Sequence, residues 1–252
     1  MSAATTSLQF SQWQRLSWPR PEWWTLALSF SGWLLIIVST VGHSGMAHAS
    51  HSHNHRVAEI AAPANILTAW PTQILWWLVM VFAMMFPLLV DHVRNTAARS
   101  LWSRRHRAIG TFLTGYTMSW LIFGTVASAA YLILNMETWF SKPIISTVGF
   151  CVAILWQVMP VRRRSVLACH RTRPIAPTGW RAERDCLRYG WMVGTSCIIS
   201  CWALMLACLL STHSVLAMVG ITAIGLFERN TRRSNQFFPC IVIAALAISH
   251  IW

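Results

Sequence analysis

The sequence predicts an all-α fold, a polytopic transmembrane helical bundle of about seven spans with its N-terminus inside. Three observations lead there. Hydrophobic residues make up 55% of the 252-residue chain and charged residues only 11%, with a mean hydropathy of +0.48, outside the range of an ordinary soluble domain. Several stretches contain no Asp, Glu, Lys or Arg at all and approach the roughly 20 apolar residues that cross about 30 Å of hydrocarbon. The basic residues alternate between the connections in a strongly lopsided way.

The uncharged stretches are residues 23 to 41, 74 to 90, 109 to 133, 144 to 160, 191 to 211, 214 to 227 and 237 to 252. Helices are expected in all of them, because a helix satisfies its own backbone groups where no water is present. The last two are short and admit a tilted or re-entrant pair. With the N-terminus inside, 18 of the 20 Lys and Arg residues fall on the inner side, and only Arg56 and Lys142 fall outside. Cytoplasmic connections carry such an excess. The net charge of +13 is thus accounted for by topology and by attraction to anionic inner-leaflet lipid, and no nucleic-acid partner is required.

The N-terminal segment, residues 1 to 42, holds the first span or an uncleaved signal-anchor. Ala47-His48-Ala49 also fits an A-x-A cleavage site. The next segment, 43 to 73, is read as a His-rich outer loop. It carries His43, His48, His51, His53 and His55, half of the ten histidines of the chain. Imidazoles at alternate positions of a flexible loop can converge on one Cu(II), Zn(II) or Ni(II) ion; the plainer reading is a solvated polar loop. His213 and His250 fall on the same side.

Residues 74 to 252 form a six-span membrane domain with a second set of candidate ligands. Met80 and Met84 share one helix face, and Cys197, Cys201 and Met205 share another, since residues four apart are neighbours. Soft thioether and thiolate ligands select Cu(I), although Met and Cys also serve as ordinary core filling. Pro87 predicts a kink or helix end, and Asp91 and His92 a solvated cap beyond it. Gly115 permits close helix approach. Cys169-His170 is a further inner pair, and Glu228 is expected to pair with a nearby Arg. The seven cysteines show no disulfide framework. No carboxylate pair, nucleophile-base arrangement or phosphate loop indicates an enzyme. The uncharged spans argue against a transporter or channel.

Residues 76 to 87, WWLVMVFAMMFP, resemble the W-x-x-M-x-x-A-M-M-x-P signature of a bacterial family of predicted metal-binding integral membrane proteins, formerly a domain of unknown function. The family includes proposed copper chaperones for polyphenol oxidases. Gly115-Tyr116 with Trp120 resembles its G-Y-x-x-x-W, and Gln157 with Pro160 its Y-Q-x-T-P-L-K. Cys169 and Pro174 match the end of its C-L-x-x-C-R-x-P loop. Gly194, Cys197, Cys201, Trp202, Leu204 and Met205 match its G-x-x-C-x-G-C-C-W-x-L-M, and Glu228-Arg229 its closing E-K. Ser165 stands at the first loop Cys, Ile199 and Ser200 replace Gly and Cys, and the G-x-M-N run near 211 to 215 is missing, marking a divergent member.

The resemblance implies a bacterial protein, so the topology read from the arginine count becomes that of a multi-pass inner-membrane protein with the His-rich loop and C-terminus periplasmic. The resemblance implies copper as the metal, while the imidazoles of the His-rich loop leave zinc as a second option there. It also implies capture and delivery to a partner copper enzyme. The alternative is an accessory or structural subunit of a larger membrane complex, such as a copper-dependent membrane oxygenase, without metal chemistry of its own.

Overall fold

The computed structural model describes residues 21–49, 66–136, 142–169, 174–176, 179–211, 214–231 and 237–251. Among these residues nearly all are helical and none is in a strand. The helices are α1 (Trp23–Ala49), α2 (Ile66–Met85), α3 (Val90–Arg99), α4 (Arg105–Met136), α5 (Lys142–Val158), α6 (Pro160–Cys169), α7 (Gly179–Leu210), α8 (Val215–Thr231) and α9 (Phe237–Ile251).

Four of the described helical segments are long and apolar enough to cross a membrane, or up to five if the bent α5–α6 pair counts as one span. The expectation of about seven is therefore not met by length. At 17 and 15 residues, α8 and α9 reach only about 26 and 23 Å at the helical rise, short of the hydrocarbon thickness. The predicted outer loop also begins later than expected, because α1 runs through His43 and His48 to Ala49. The stretch from 43 to 49 holds no proline to stop a helix. Similarly, most of the predicted inner connection from 162 to 188 is helical, supplied by α6 and the first turns of α7.

Two prolines interrupt helices. Pro87 lies in a 3-10 segment, Phe86–Leu89, that separates α2 from α3. Proline removes one backbone donor and disfavours helical geometry before it. The same restriction on Met159, which precedes Pro160, accompanies a 74° bend between α5 and α6.

The centre of the bundle is the pairing of α4 with α7, which glycine makes possible. A Cβ on Gly190 would lie 2.0 Å from the Phe112 carbonyl oxygen, one on Gly115 would lie 2.3 Å from the Leu187 oxygen, and one on Gly194 would lie 2.0 Å from Ser119 Oγ. Gly190 and Gly194 form a G-x-x-x-G step, the small-residue spacing that lets membrane helices touch backbone to backbone. The expected role of Gly115 is seen here. On the other flank of α4, Trp77 lies over Gly124 and donates from Nε1 to the Trp120 carbonyl at 3.2 Å. Ser29 of α1 donates to the Ala83 carbonyl of α2 at 2.9 Å.

The arginine-bearing segments meet at one end of the bundle. Arg94 pairs with Glu22, Arg104 and Arg107 with Glu183, and Arg229 with Asp91. At this end α1, α4 and α7 begin and α2 and α8 finish, so these helices alternate in direction.

Candidate metal centre

Three interrupted or closely packed elements converge just inside the arginine-rich end. Cys197 and Cys201 sit one turn apart on α7, where the glycine contact draws α4 close. Tyr116, next to Gly115, consequently reaches Cys197, its hydroxyl donating to Sγ at 3.3 Å. From the opposite side, Met85 ends α2 at the Pro87 break, and its Sδ lies 3.9 Å from Cys197 Sγ. Ser200 Oγ is 3.4 Å from Cys201 Sγ and donates to the Cys197 carbonyl at 2.9 Å. Cys169, at the end of α6, lies within electrostatic reach of both α7 thiols.

Beside them lies a cavity of about 80 Å³ whose wall includes Cys169, Cys197, Ser200, Cys201, Tyr116, His92 and Glu228, while Met85 touches Cys197 from outside that wall. That is room for several waters or one ion with its ligands. Among the described residues no group of three or more His, Cys, Asp and Glu side chains is arranged to hold a metal. The soft donors that the helices bring together here are two thiols and a thioether, a set whose chemistry suits a soft ion of low coordination number such as Cu(I). All seven cysteines are free.

A buried polar group stands beside the cavity, which Glu228 lines. Arg162, only 4% exposed, pairs through Nη2 with Glu228 Oε2 at 2.5 Å and donates from Nε to the Ser200 carbonyl. Gln157 donates to the other Glu228 oxygen at 2.8 Å. Glu228 thus pairs with an arginine 66 positions away, while its neighbour Arg229 reaches Asp91. Removing one partner of such a pair strands a buried charge, which costs about 3–5 kcal/mol. Glu228→Gln is expected to lower the melting temperature by about 6 °C or more in a chain of this length. Adding Arg162→Met should recover much of that loss; equal stability of Glu228→Gln and the parent would show that the pair contributes nothing.

The sequence-predicted residues are distributed unevenly around this site. Cys197 and Cys201 line the cavity. Met80, Met84 and Met205 are buried in the helical core at 1%, 0% and 0% exposure, outside the cavity wall. The thioether that reaches Cys197 belongs to Met85, about 100° around α2 from Met84. His92 is not a solvated cap: it is buried and its Nδ1 lies 2.8 Å from the Tyr189 hydroxyl. Asp91 is exposed, as expected, and ion-paired. His43 and His48 lie on α1, and His51, His53 and His55 lie outside the described residues, as do His170 and His213.

The sequence places Met85 in the same span as Met80 and Met84, but the helix face chosen was theirs, and Arg162 was missed. The Met-Met pair in the signature was a usable signal for Met85, but choosing a helix face by four-residue spacing favoured Met84. Two of the positions where the chain departs from the family pattern, Ser165 and Ser200, are both buried beside this centre; Ser200 borders the cavity itself.

No curated protein and no solved structure matches the chain. A family described as PpoB2, copper chaperone, matches residues 74–252, the region that contains the cavity and all its lining residues and begins after the histidine cluster. With that match covering well over half of its length, the chain belongs to the PpoB2 copper chaperone family.

Proposed function

We propose that this chain holds Cu(I) at Cys197, Cys201 and Met85 and delivers it by ligand exchange to a partner copper enzyme. The observation that carries this reading is the 3.9 Å approach of the Met85 thioether to Cys197, with Cys201 one turn away on α7 and both thiols in the cavity wall. The donors are soft. Cys169 is a third thiol within reach, placed to accept the ion when a ligand on α7 is released. No bond of a substrate is made or broken, so the action is that of a carrier and not of an enzyme.

The arginine-rich end faces the cytoplasm in this reading, because basic residues accumulate on that side. The exposed Arg163, Arg164, Arg181 and Arg184 then lie against the anionic inner leaflet of a bacterial inner membrane. Residues 1–42 act as the anchor, 43–73 as an outer His-rich segment that gathers copper, and 74–252 as the carrier domain.

Copper loading of the purified chain tests the reading. About one Cu(I) per chain is expected, and a value below about 0.1 would end it. Met85→Leu keeps the volume but removes the thioether. It should leave the stoichiometry intact and weaken the affinity on the order of tenfold in competition with a Cu(I) chelator. Unchanged affinity would remove Met85 from the ligand set.

A further inference from the structure

The cavity lies where two interrupted helices meet. Met85 precedes the 3-10 break of α2, and Cys169 ends α6, the limb bent 74° from α5. Interrupted helices converging on one site, with a buried ion pair beside it, are the pattern of sites through which ions cross membranes. The ion pair is Arg162–Glu228, and Glu228 also borders the cavity. None of this was visible in the uncharged spans.

Sulfur continues beyond the cavity in one direction. Along α7, Met205 lies about 12 Å past Cys197; along α2, which runs the opposite way, Met80 lies about 8 Å past Met85. Both therefore stand farther from the arginine-rich end than the thiols do, in the same buried core. In the other direction Cys169 leads toward Glu228 and Arg229 at that end.

We infer that the chain conducts Cu(I) across the membrane, past Met80 and Met205, through Cys197 and Cys201 with Met85, and on by Cys169 to the arginine-rich end. This inference rests on the binding site proposed above and adds a path through it. The ion stays Cu(I) throughout. Each thiol that takes it gives up its proton and regains a proton when the ion moves on, while the thioethers exchange without proton transfer. The Arg162–Glu228 pair stands beside the cavity at that end of the path.

The test uses the full chain in phosphatidylethanolamine and phosphatidylglycerol vesicles enclosing an impermeant Cu(I)-chelating dye, with Cu(I) and reduced glutathione outside. The native chain should give a time-dependent dye response above protein-free vesicles, and Cys197→Ser with Cys201→Ser should abolish it. Met80→Leu with Met205→Leu, a near volume-conserving change, should retain copper binding in detergent yet lose flux on the order of tenfold. A native chain that binds copper but passes no more than protein-free vesicles would overturn conduction and leave the binding reading standing. Native flux in the Met80, Met205 variant or in the cysteine variant would overturn the path. A native chain that neither binds nor conducts would overturn both.

Discussion

Replacing Cys197 and Cys201 together by serine is expected to reduce copper from about one ion per chain to below about 0.1, measured by metal analysis of protein loaded with Cu(I) under reductant. Serine keeps the size of each side chain and its ability to bond the helix backbone, so the fold should persist. What disappears is the soft donor pair: one thioether, Met85, and one more distant thiol, Cys169, remain. Replacing all five of His43, His48, His51, His53 and His55 by alanine should leave the cavity copper in place. If the serine variant keeps its copper and the alanine variant loses it, the ion sits on the histidines.

The second large effect concerns the α4–α7 contact. Gly190→Leu places a Cβ 2.0 Å from the Phe112 carbonyl oxygen, and neither backbone can move aside as a flexible side chain would. Overpacking of an ordinary core costs about 1–3 kcal/mol, and a backbone clash belongs at or above the top of that range. Since folded proteins hold only about 5–15 kcal/mol in reserve, the variant should melt at least about 6 °C lower in detergent. It should also bind copper more weakly, because separating the helices draws Tyr116 away from Cys197. A melting temperature within about 1 °C of the parent would show that the helices do not approach as described. Gly110, beside which an added Cβ meets nothing within 4 Å, supplies the control: Gly110→Ala should be neutral or slightly stabilising.

The helical, membrane-spanning character was legible because it depends on composition and uncharged length, which are properties of the chain alone. Of the arginines that the count assigns to one side, Arg94, Arg104, Arg107 and Arg229 meet at one end of the bundle. Other features depend on partners far along the chain and left no local trace. His92 follows Asp91 near an expected interface, yet Tyr189 and Phe112 bury it. Arg162 belonged to what looked like a basic connection until α6 folded back against α7, which offers it the Ser200 carbonyl, and within reach of Glu228 on α8. For the site itself, the sequence identified both α7 cysteines by their spacing. It selected Met84 over Met85 because helical periodicity within α2 says nothing about which face α7 will meet. The bend at Pro160, which brings Cys169 to the cavity, is likewise a tertiary fact.

The central claim is that copper is held by sulfur from α2 and α7 inside the bundle. X-ray absorption at the copper edge of the Cu(I)-loaded native chain tests it most directly. The account predicts a nearest shell made of sulfur alone, with one scatterer lost in Met85→Leu. A nearest shell of nitrogen that disappears on removing the five clustered histidines, with Cys197 and Cys201 intact, would contradict it.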